Sequence, residues 1–95
     1  MIGKYVIVRS DKAGVFFGIL EAKEGLELTL TNVRKIYYWS GAKTVEDLAI
    51  QGVMNPSNCK ITNFVDKIVI SSYDQIIPCS ELAISNLKEV FIWKA

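Results

Sequence analysis

The 95 residues carry 11 Lys and Arg against 10 Asp and Glu, a formal charge of +1. A chain this short makes one domain, residues 1–95, and so even a charge argues against a nucleic-acid binder that works by bulk electrostatics. Histidine is absent, which excludes His-based triads, histidine metal sites and the commonest general base.

Hydrophobic residues make up 51% against 22% charged, a balance that folds rather than staying disordered. So much apolar residue on a small domain favours self-association as a homo-oligomer. Cys59 and Cys79 are too few for a disulfide scaffold and read as two buried free thiols, with a single bridge as the alternative. No apolar run approaches the roughly 18 residues of a membrane span. Met1 to Arg9 lacks the basic and apolar regions of a signal peptide. The expectation is a soluble cytoplasmic protein.

Taken in chain order, Ile2 to Arg9 reads as a strand with Ile2, Val6 and Val8 on one face and Tyr5 and Ile7 on the other. Ser10 to Gly14 is a turn. Val15 to Lys23 is a second strand, in which Gly18 marks a bulge, a bend or a close backbone approach. After the Glu24–Gly25 turn, Leu26 to Thr31 alternates cleanly, with Leu26, Leu28 and Leu30 facing in. Asn32 breaks the run, and Val33 to Trp39 is a fourth strand.

Thr44 caps a short helix to Gln51, closed by Gly52. Lys67 to Ser71 is a further strand with Tyr73 to Ile77 as its short partner. Ser80 caps the last helix, where Ala83, Leu87, Val90 and Phe91 share one face. The fold class is therefore α+β, mostly β: a small curved SH3-like barrel or meander, with one short helix after the fourth strand and a C-terminal helix.

The densest chemical feature is Arg34 to Ala42. Alternation places Arg34, Ile36 and Tyr38 on one face and Lys35, Tyr37 and Trp39 on the other, so each face pairs a cation with aromatic area. Nucleobases stack on such rings, and Arg holds phosphate bidentately. The Ser40–Gly41–Ala42 turn offers backbone N–H groups to an anion. The bland alternative is that these aromatics fill the core and the cations are solvated.

The first turn, with Arg9, Ser10, Lys12 and Gly14, is the second candidate, since loops on a rigid sheet commonly carry binding residues. Catalysis has little support. Glu21, Glu24 and Glu27 cluster at a hairpin, Glu46 and Asp47 suit a helix start, and neither cysteine has a histidine to activate it. No catalytic residue, metal site or cofactor is expected.

The stretches Lys4 to Arg9, Ala13 to Val15, Phe17 to Leu20, Arg34 to Ala42, Asp66 to Ile68 and Ile76 to Cys79 resemble a family of small phage and prophage proteins grouped as a domain of unknown function. The most specific pieces are Tyr38–Trp39–Ser40–Gly41–Ala42 and the spacing from Ala13–Gly14–Val15 to Gly18. Relatives carry Arg and Trp where this chain has Lys35 and Tyr37, which marks those two positions as tunable and weaker ligand contacts.

A looser similarity of size, setting and site chemistry links the chain to phage sponges that sequester cyclic nucleotide immune signals, of the anti-CBASS type. It implies a phage-encoded protein in the cytoplasm of the bacterial host that assembles as a dimer or tetramer and binds a cyclic dinucleotide without cleaving it. Arg9, Ser10, Gly14, Arg34, Tyr38, Trp39, Ser40 and Gly41 would be its ligand contacts. The rival expectation is a protein-interaction module that inhibits a host protein through an aromatic patch. A single-stranded nucleic-acid binder and a nucleotide-cleaving enzyme rank lower, the first on charge and the second for want of a base or metal set.

Overall fold

A computed structural model describes residues 1–94. Three strands lead: β1 (Tyr5–Ser10), β2 (Gly14–Glu24) and β3 (Glu27–Tyr38). Helix α1 (Val45–Gln51) and a single 3-10 turn (Pro56–Asn58) follow, then β4 (Lys60–Ile61), β5 (Val65–Ile70), β6 (Gln75–Pro78) and helix α2 (Glu81–Glu89).

All pairings among the described residues are antiparallel. The sheet runs β4-β3-β2-β1-β6, and β5 also pairs with β3, nearer its N-terminal end. β6 pairs with β1 and not with β5, so the sheet stays open and the expected barrel does not close. The short stretch anticipated as a partner for β5 instead extends the far edge. Its last residue, Pro78, suits an edge position because it has no N–H to give a further strand.

The two strands expected between Leu26 and Trp39 are one, because Asn32 kinks β3 without ending it. Asn32 takes φ +47, a left-handed conformation that Asn tolerates better than most residues. The kink changes which residues share a face. Leu28, Leu30 and Val33 all join one core, although the last step is three residues rather than two. Ile36 then joins the opposite core.

Gly18 sits against this kink, at a register shift between Phe17 and Ile19. A Cβ there would approach Val33 Cβ to 2.9 Å and Thr31 O to 3.1 Å, so glycine lets β2 lie close to β3.

Both faces of the sheet are covered. One core places Ile7, Phe17 and Ile36 against Leu48, Ala49 and Leu87 of the helices. The other gathers Val6, Val8, Phe16, Leu20, Leu28, Leu30, Val33 and Ile70. Thr44 Oγ1 accepts from Asp47 N–H at the start of α1, and Ser80 Oγ accepts from Ala83 N–H at the start of α2. Gly52 closes α1 with φ +77 and lies against Asn86.

Two apolar placements differ from expectation. Leu26 falls in the hairpin turn and is exposed, and α2 ends at Glu89, which leaves Phe91 exposed beyond the helical face. Both cysteines are free thiols, Cys59 buried and Cys79 half-buried. None of the helices among the described residues is long and apolar enough to cross a membrane.

Candidate functional site

The first turn and the second half of β3 come together. Asp11, Lys12, Ala13, Gly14 and Val15 face Lys35, Ile36, Tyr37 and Trp39 across an open cleft of about 300 Å³. The β2–β3 register brings this about, since Phe16 lies opposite Lys35. Lys35 Nζ sits 5.8 Å from the Phe16 ring centroid, with its stem along Gly14. Gly14 has φ +113, and a Cβ there would come within 2.9 Å of Lys35 Cε. The positive φ is what favours glycine at this wall, since the end of the flexible Lys35 side chain could swing aside.

The turn is fixed from behind. Ser10 is buried; its Oγ donates to Ser72 O at 2.8 Å and accepts from Ala13 N–H at 3.2 Å. Asp11 N–H donates to Asp74 Oδ2 at 2.7 Å.

Among the expected contacts, Gly14 and Trp39 line this cleft. The others are placed elsewhere. Arg34, expected to hold phosphate, is 1% exposed. Its Nε donates to Thr62 O at 2.8 Å, and one terminal nitrogen donates to Leu87 O and Val90 O at 2.9 and 2.6 Å. Its guanidinium lies 4.9 Å from the Phe64 ring centroid. Burial lowers its pKa, but a guanidinium stays charged. Arg34 is thus a structural pin that joins β3 to the end of α2, where unpaired carbonyls favour a cation.

Ser10 is likewise spent on the turn. Arg9 is exposed but does not line the cleft. The Glu46 carboxyl is held below the usual carboxylate range by a hydrogen bond from Gln75 above all, and the Arg9 charge contributes in the same direction.

The expected anion cradle at Ser40–Gly41–Ala42 is also partly occupied. Ser40 N–H donates to Cys59 Sγ at 3.3 Å, and Lys43 N–H, just beyond, donates to Asp47 Oδ2 at 3.2 Å. Gly41, at φ +87, packs against Met54 and Asn55 and borders a separate depression lined by both Lys43 and Asp47, whose opposite charges offset one another. Tyr38 is exposed opposite Lys60 of β4.

Lys12, Lys35 and Tyr37 were not among the expected contacts. Lys12 belongs to the turn that forms the second candidate, and Lys35 and Tyr37 are the positions that the resemblance marks as tunable. Their signal was the alternation itself, which already put Lys35, Tyr37 and Trp39 on one face. What the arrangement offers chemically is two ammonium groups and two aromatic rings around an open cavity, with one carboxylate, Asp11, at its rim. Among the described residues no three Cys, Asp or Glu gather as metal ligands.

Fold and cleft together define a small open-sheet α+β domain with one cationic, aromatic-walled cleft. The chain belongs to the family described as Domain of unknown function (DUF6948), whose model matches residues 3–87. No curated protein and no solved structure matches it.

Proposed function

We propose that this chain is a non-catalytic binding protein that sequesters a cyclic nucleotide messenger, with cyclic dinucleotides as the first candidates. The observation that carries the reading is the meeting of Lys12, Lys35, Tyr37 and Trp39 around a single cleft. Ammonium groups attract phosphate, and aromatic faces stack bases at about 1–3 kcal/mol per base. The cleft supplies both at once.

Its volume of about 300 Å³ lies at the small end of ligand pockets. One nucleotide half suits it better than a whole cyclic dinucleotide. A symmetric homodimer, with one cleft per subunit, would meet both halves of such a ligand. The residues assigned to contact it are Lys12, Gly14, Lys35, Tyr37 and Trp39, in place of Arg9, Ser10, Arg34, Tyr38, Ser40 and Gly41. The resemblance to small phage proteins supplies the setting: a phage product that blunts immune signalling in the cytoplasm of a bacterial host.

The test is thermal unfolding with cyclic dinucleotides, cyclic trinucleotides, cyclic ADP-ribose isomers and their linear forms. A ligand that binds only the folded chain stabilises it by about 4 kcal/mol at a thousandfold excess over Kd. The proposal expects a large shift with one cyclic ligand and none with its linear form. No shift across the panel would overturn it in favour of a protein-interaction module, a reading favoured by the exposed rings of Tyr37 and Tyr38 at 62% and 54%.

A further inference from the structure

Tyr37 has a partner that the cleft alone does not explain. Its ring stacks on the indole of Trp93, with centroids 5.5 Å apart and planes within 5°. Lys60 Nζ lies 5.4 Å from the same indole centroid. Trp93 comes from the segment after α2, and its N–H donates to Ile61 O at 2.9 Å, which ties that segment to the edge of β4. The segment starts at Val90, whose carbonyl is held by Arg34. Thr62, next to Ile61, binds the same part of β3: its carbonyl accepts from Arg34 Nε, and its hydroxyl accepts from Lys35 N–H. Arg34, Thr62 and Trp93 thus form a frame behind the two residues, Lys35 and Tyr37, that face the cleft.

We propose that the segment 91–94 is a working part of the ligand site, with Trp93 as the positioning residue that holds the Tyr37 ring ready to stack. The inference rests on the cleft reading above and deepens it, because it names what orders one wall. Tyr37 stays 62% exposed even when stacked on Trp93, so ring surface remains for a ligand. An exposed tyrosine without a backing ring samples several rotamers, and a ligand must then fix one of them. Trp93 removes that cost beforehand. The coupling is reciprocal, so a ligand stacked on Tyr37 must in turn favour the docked state of residues 91–94. The ligand class this implies has a flat ring beside an anionic group; inorganic phosphate, which lacks the ring, would not feel Trp93.

The experiment titrates the full chain with cyclic di-AMP and with cyclic di-GMP by calorimetry, and follows Trp93 amide hydrogen exchange with and without each. Trp93→Ala is expected to weaken binding about three- to tenfold, the cost of ordering one ring on binding. Trp93→Phe, which keeps a stacking ring, is expected to stay within about twofold of the parent. In the unaltered chain, ligand is expected to slow exchange at Trp93 N–H, and in Tyr37→Ala it is expected to leave that exchange unchanged. The exchange arm stands even where Trp93→Ala fails to fold.

Binding by the parent with no ligand-dependent protection at Trp93 would overturn this inference and leave the cleft reading intact, as would equal affinity in Trp93→Ala. No binding of either dinucleotide by the parent would overturn the dinucleotide reading and this inference together.

Discussion

Arg34 and Lys35 are neighbours on β3 with opposite fates. Arg34 lies under the end of α2, with its donors given to the carbonyls of Thr62, Leu87 and Val90. Lys35 lies on the other face, in an open cleft beside Gly14 and Tyr37. The same contrast extends one step along, since Ile36 joins the helix-side core while Tyr37 is exposed. Over Arg34–Tyr37 one face is covered by α2 and the other opens into the cleft. A cation on a strand therefore says little about function until the covering of each face is known.

The sharpest way to break this contrast is to remove each cation in turn. Arg34→Met keeps the volume and removes the donors, leaving buried carbonyls unpaired at about 1–3 kcal/mol each. Chemical denaturation should show a loss of at least about 3 kcal/mol. Lys35→Ala should stay within about 0.5 kcal/mol of the parent, as surface changes usually do, and should weaken cyclic dinucleotide binding about tenfold or more through loss of a charge-assisted contact. Equal stability losses in the two variants would erase the distinction between the faces.

Gly14→Ala should affect both properties at once. The positive φ opposes a Cβ, so denaturation should show a cost on the order of 1–3 kcal/mol, and the end of Lys35 must swing aside, which weakens ligand binding besides. Asn32 tests the kink that separates the faces. Asn32→Val forces a β-branched residue into a left-handed conformation at about 1–2 kcal/mol, while Asn32→Gly should cost less than that, as read from denaturation midpoints.

At neutral pH the smallest expected effect concerns Cys79, because its linkage acts only in alkali. Burial pushes its thiol up from 9.0 to about 12, so the folded state favours the neutral form. A thiol whose folded pKa is raised contributes stability that is fully present below about pH 9 and lost as pH rises towards 12. Stability profiles of the parent and Cys79→Ala should therefore run parallel below that window and converge or cross within it. The same shift predicts slow alkylation of Cys79 at pH 8 compared with the unfolded chain.

Much of the scaffold was legible in the sequence because its markers are local. Thr44 and Ser80 were readable as helix caps, and Gly18 as a bulge, bend or close backbone approach, because each reports its own backbone. Asn32 was legible as an interruption but not as a kink inside one long strand, since a positive φ can either end a strand or bend it. Alternation grouped Lys35, Tyr37 and Trp39, which all line the cleft, but Trp39 lies past the end of β3 and also packs against the helix-side core, and alternation could not say which face α2 would cover. Arg34, the better phosphate ligand by residue type, is therefore read as a ligand contact although it lies on the face that α2 covers.

The open sheet was beyond reach for a similar reason, because β5 and β6 choose partners far away in sequence. Trp93 stands in the sequence beyond the last helical pattern, with no local mark of a role. Its place beside Tyr37 depends on the turn the chain makes after Val90, which no local pattern encodes.

The most direct test is an amide-resolved NMR titration of the ¹⁵N-labelled chain with whichever cyclic nucleotide stabilises it most. The account predicts perturbations concentrated at Lys12, Gly14, Lys35, Tyr37 and Trp39, with a smaller echo at Trp93. Perturbations centred instead on Ser40, Gly41 and Asp47, or none at saturating ligand, would contradict it.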